Sequence, residues 1–153
     1  MQAYILLGVL LGVPLLLGLI FRVGTAQLFL SLLAGDVLQR YFKDEALKRL
    51  TPLVHNSAIL QYVGLVILVL PLVLTAVFMR HTLSKSKTLL HLLPLIITGT
   101  IFAAFAVPLL PDSLRGQLAS NAAGRMLNDS TNTIIGAMVG LQLVTMWIFN
   151  RSK

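Results

Sequence analysis

Asp36 is the one acid lying within an apolar run of this 153-residue chain. A carboxylate among aliphatic side chains can relay a proton or a cation, or it can pair with a base on its own or another helix. Arg40 stands four residues on, one helical turn away, so local pairing competes directly with any relay. His91 is the second candidate, one turn inside a later apolar run with Lys87 at i−4. An imidazole there could sense protons or ligate a metal. No second histidine falls three or four residues from it, and no carboxylate shares its face, so a metal site would need ligands from separate helices. Serines are frequent, but none sits in a G-x-S-x-G turn. The glycines from Gly8 to Gly24 lack the strand and the lysine of a phosphate loop. With no cysteine, thiolate catalysis, disulfides and Cys-ligated zinc or iron–sulfur centres are excluded. The expectation is a protein without catalytic residues, metal or cofactor.

What could position such groups is set by composition. Hydrophobic residues make up 57% of the chain and charged residues 11%, against roughly 25% in an average soluble domain. Mean hydropathy is +0.89. A water-soluble helical bundle needs polar outer faces, and these long apolar runs lack them. The net charge of +7 sits in bases that punctuate apolar segments, so anionic lipid headgroups rather than nucleic acid are the expected counter-charge. The fold class expected is an all-α integral membrane protein, one domain of four or five transmembrane helices with one or two amphipathic interfacial helices.

The first apolar run covers residues 3–21. A signal peptide is the rival reading, but no base precedes the run and no small-x-small cleavage site follows it. Gly8 and Gly12 form a GxxxG, the spacing that lets another backbone approach, and Pro14 should kink the helix. Gly18 to Gly24 encloses Arg22 and reads as a tight reversal, with Thr25 as N-cap of a second helix over 25–42. From 43 to 54 the pattern turns amphipathic. Phe42, Ala46, Leu50, Leu53 and Val54 take one side, and Asp44–Lys48 and Glu45–Arg49 are acid-first i,i+4 pairs. This reads as a helix lying on the membrane, or as a solvated connector, stopped near Pro52.

Residues 57–79 carry no charge over about 23 positions, enough to cross a ~30 Å hydrocarbon layer. A basic loop follows, with Arg80, Lys85 and Lys87, and then the run 88–110, where Gly99 and Ala103 offer a small-residue packing face. Pro108 and Pro111 end that run. Asp112 or Ser113 can cap a surface helix over 113–127, with Leu114, Leu118, Ala122 and Met126 on one side. The last run, 132–149, holds a second GxxxG at Gly136 and Gly140, and ends in Trp147, Arg151 and Lys153, an aromatic-plus-basic anchor. Gln61, Thr75, Thr98 and Gln142 are polar groups within runs and are expected to bond between helices.

With five spans and an outer N-terminus, Arg22, Arg80, Lys85, Lys87, Arg151 and Lys153 fall on the cytoplasmic side. Arg40, Lys43, Lys48, Arg49, Arg115 and Arg125 fall outside. The bases balance, but all five acids lie in or beside the outer segments, which favours a cytoplasmic C-terminus.

The order of parts resembles the colicin V production protein family over about the first 110 residues. The likeness lies in an apolar helix, the glycine-flanked basic turn Gly18 to Gly24, and a helix reading Leu28-Phe29-Leu30-Ser31-Leu32-Leu33-Ala34-Gly35. A surface segment (Lys43 to Val54), a long span (Ser57 to Met79), a basic loop (Arg80 to Lys87) and another span (Thr88 to Leu110) follow in the same order. The stretch His91 to Ile101 departs from the family's Asp-Arg and paired glycines. The resemblance implies a bacterial inner-membrane protein without known catalysis, involved in toxin production, envelope upkeep or assembly of a membrane machine. The function expected is that of a non-catalytic scaffold, assembly factor or accessory subunit, with the lipid bilayer, protein partners or further copies as its company. The alternative is a transporter or channel component using Asp36 and other intramembrane polar residues.

Overall fold

The structure, a computed structural model, describes residues 2–54, 57–80, 92–119 and 131–151. Among these, all regular structure is helical: α1 (Gln2–Phe21), α2 (Thr25–Leu50), α3 (Ser57–Leu60), α4 (Val63–Phe78), α5 (Leu92–Ala106), a 3-10 turn (Val107–Leu109), α6 (Asp112–Ala119) and α7 (Thr131–Arg151). Two helical stretches, Tyr4–Phe21 and Leu92–Leu109, are long and apolar enough to cross a membrane, while Val63–Phe78 and Asn132–Ile148 are apolar but shorter.

The second helix corrects the expected boundaries. It does not stop at Phe42 but continues to Leu50, 26 residues from Thr25 and about 39 Å of helix. Residues 43–50, expected as a separate interfacial helix, are its last two turns. The reason is local: between Asp36 and Leu50 there is no glycine or proline, and Ala, Leu, Glu, Lys and Arg all favour the helix. A change of polarity along a chain is not a change of backbone. The helix does end two residues before Pro52, where Thr51 donates both its N–H and its hydroxyl to the Leu47 carbonyl. The expected span 57–79 is likewise divided, because the exposed pair Gln61 and Tyr62 turns between α3 and α4.

The reversal between α1 and α2 follows the expected place with different chemistry. Arg22 takes φ +52°, the left-handed conformation, and the Val23 N–H reaches back to the Gly18 carbonyl at 3.3 Å. This is a Schellman closure with arginine where glycine is usual, and Val23 is fully buried beneath it. The N-cap of α2 is Gly24, not Thr25, because the Gly24 carbonyl already accepts from the Gln27 and Leu28 N–H groups. Arg22→Val should therefore lower thermal stability more than Arg22→Asn, by about 1–2 kcal/mol, since only asparagine tolerates the left-handed region. Both variants lose the guanidinium, so melting curves compare the backbone cost alone.

Helix α5 is the centre, buried almost throughout from Ile97 to Val107, and α1, α2 and α7 pack on it. On α4, Gly64, Leu68, Leu72 and Ala76 recur every fourth residue and form the stripe that meets α2. Close approaches give the directions. Gly35 of α2 lies on Leu68 of α4 and Gly64 of α4 on Lys43 of α2, so this pair is antiparallel. Gly18 meets Leu95 and Gly99 meets Leu11, so α1 and α5 are antiparallel as well. The outward sides of α1, α4 and α7 are aliphatic: Ile5 and Ile20 are 64% and 66% exposed, and Val66, Leu70, Leu143 and Val144 are also open.

Candidate functional site

The antiparallel order sorts the charges by end. Where α1 ends, α2 begins and α4 ends, the described charges are Arg22 and Arg80, with no acid among the described residues. The opposite end gathers Lys43, Asp44, Glu45, Lys48, Arg49, Asp112 and Arg115. Glu45 and Arg49 pair at 3.0 Å on the exposed flank of α2, where such a contact is worth a few tenths of a kcal/mol.

Asp36 lies two turns of helix inside Lys43. Its carboxylate accepts from Arg40 Nε at 2.9 Å, with the Asp36 side chain 17% and the Arg40 side chain 65% exposed. An arginine one turn nearer the helix end draws the carboxylate toward the polar side and neutralises it there. The local pair is thus the arrangement present, and the group best suited to a relay is engaged in it. His91, Lys85 and Lys87 lie outside the described residues. Among the described residues no three His, Asp or Glu side chains gather as a metal site would require.

The small-residue seams separate into two kinds. A Cβ built on Gly99 would fall 2.6 Å from the Leu11 carbonyl oxygen, and Ala103 is fully buried, so the expected face on α5 packs directly on α1. Among the described residues, a Cβ on Gly8, Gly12, Gly136 or Gly140 would meet nothing within 4 Å. Neither GxxxG sequence is therefore filled by another described helix. Two other glycines, which spacing does not mark as packing positions, make close contacts. Gly35 lies with its Cβ position 2.5 Å from the Leu68 carbonyl oxygen, and Gly18 lies against the Leu95 side chain. Ser31-x-x-x-Gly35, both buried, was the available signal in the first case, and Pro14-x-x-x-Gly18 in the second.

The intrahelical polar groups behave differently from expectation. Thr98 donates to the Pro94 carbonyl and Thr145 to the Leu141 carbonyl, each within its own helix. A threonine hydroxyl four residues from a helical carbonyl finds that acceptor sooner than one on a neighbouring helix. Gln61 is exposed, and Gln142 is buried with neither side-chain atom partnered. Trp147 is exposed near the end of α7, which closes at Arg151. Leu118 of α6 is buried and Leu114 packs on the core beside it, as the expected surface helix requires, while Ala122 and Met126 lie outside the described residues.

Helices, two of them able to cross a membrane, with outward aliphatic faces and two open glycine seams, define the chain as an all-α protein with membrane-compatible helices. No protein-family model matches it, and no curated protein or solved structure is significantly similar to it.

Proposed function

We infer that the chain is a polytopic membrane protein in which α1, α2, α4 with α3, α5 and α7 cross the bilayer, and that it serves as a non-catalytic scaffold or accessory subunit of a membrane complex. One observation carries this reading: the GxxxG seams of α1 and α7 are unfilled and lie among exposed aliphatic side chains. In water such faces would need covering. In lipid they are at home, and small residues are where another helix backbone can come close.

The described acids gather at the end of Lys43, Lys48, Arg49 and Arg115, and we place the acid-free end at Arg22 and Arg80, with the C-terminus, in the cytoplasm. The likeness in order of parts to the colicin V production family supports a bacterial inner membrane. Engagement of Asp36 by Arg40 favours a scaffold over a transporter. The test is purification in a gentle detergent: a scaffold co-purifies with partners or further copies, and a chain recovered alone as a monomer defeats the reading. On α7, Gly136→Ile should weaken association by about tenfold, because a β-branched side chain holds the partner backbone off. An unchanged oligomer size on a native gel would mean that this face meets only lipid.

A further inference from the structure

We propose that α7 pairs with α7 of a second copy through its inward face, with Gln142 amides bonding each other across the contact. The proposal rests on the membrane reading above and names one partner for it. Gln142 is wholly buried on the side of α7 that lies on α5, and among the described residues neither Oε1 nor Nε2 has a hydrogen-bond partner. Less than 1 Å² of either atom is open, so water has no access to supply the missing bonds. A primary amide brings two donors and one acceptor, and buried polar groups in folded proteins are nearly always bonded. Along the same face, the hydroxyl proton of Thr145, one turn on, is already given to the Leu141 carbonyl. On α5, Thr98 gives its own to Pro94.

Lipid tails cannot satisfy the amide either, so leaving α5 for lipid alone gains nothing. A second Gln142 can, because the group is self-complementary: each Nε2 donates to the other's Oε1. Two features favour the exchange, whose cost is the close packing of α7 on α5. Among the described residues, helix α7 has one principal neighbour, α5, whereas α1, α2 and α5 each pack on several helices. In a bilayer, trading apolar contact with α5 for apolar contact with lipid carries no hydrophobic penalty. The docked arrangement on α5 is then the monomer's, and the paired one the dimer's.

The absence of native cysteine makes the test direct. In full-length chain reconstituted into lipid nanodiscs and vesicles, Thr145→Cys should crosslink between copies on oxidation, because position 145 shares the face of Gln142. Gln142→Leu should weaken association by about tenfold, and Gln142→Asn should retain most of it. The variant Gly136→Ile probes the opposite side of α7 and separates the two readings. Loss with Gly136→Ile but not with Gln142→Leu, or no inter-copy crosslink at position 145, overturns this proposal and leaves the scaffold standing. A chain that is monodisperse in buffer without detergent or lipid overturns the membrane reading itself.

Discussion

Gly35→Val lowers the stability of the bundle by about 3 kcal/mol, the upper part of the usual range for overpacking. The added Cβ would sit 2.5 Å from the Leu68 carbonyl oxygen, and a backbone atom inside α4 cannot rotate aside as a side chain can. Relief requires α2 and α4 to part along their length, with loss of the contacts made by Leu28, Leu32, Leu68 and Leu72. Close packing carries much of the attraction in such contacts, and a gap of even ~1 Å forfeits a large part of it. Even Gly35→Ala should destabilise, although alanine gains about 1 kcal/mol over glycine in helix propensity. At Gly8, where nothing lies within 4 Å, the same change meets no opposition and should stabilise by about that amount. Melting curves of the two alanine variants in one detergent decide the matter. If both move the midpoint in the same direction, the close approach of α2 to α4 is wrong.

The second large effect concerns the contact of α1 with α5. Gly99→Val places a side chain 2.6 Å from the Leu11 carbonyl oxygen and should cost about 3 kcal/mol. Trimming Leu11 to alanine should not rescue it, because the obstacle is main chain. Gly18 stands against the tip of the Leu95 side chain, which can turn aside, so Gly18→Ala should cost less than a change at Gly35 or Gly99 and be relieved by Leu95→Ala. The double-mutant cycle is therefore expected to show coupling of about 1 kcal/mol or more at Gly18–Leu95 and none at Gly99–Leu11. Equal coupling at both sites would mean that the two seams are not built as described.

Most of the element order was legible from residue types alone. Long uncharged runs were legible as helices, and the described parts of those runs are helical. Proline and glycine marked where runs end, and Asp36 with Arg40 announced a local pair by spacing. The continuity of α2 from Thr25 to Leu50 was also latent in the helix-forming residues after Phe42, but the change from apolar to amphipathic pattern suggested a break that the backbone does not make. The N-cap of α2 moved by one residue because a glycine carbonyl can close the first turn without any side chain.

Residue types and spacing by themselves determined the helical class, the apolar character of the surface, the lack of thiol chemistry and the segregation of acids from the basic loop. Only the tertiary structure decided which glycines are contacts. Spacing marks Gly8, Gly12, Gly99, Gly136 and Gly140, yet of these only Gly99 meets another helix among the described residues, while the unmarked Gly18 and Gly35 do as well and Gln142 is sealed in without a partner among them. The physical reason is that spacing places residues on a face of one helix, whereas closeness depends on the rotation and height of a second. In a chain apolar on nearly every face, no polar side announces which way a helix must turn.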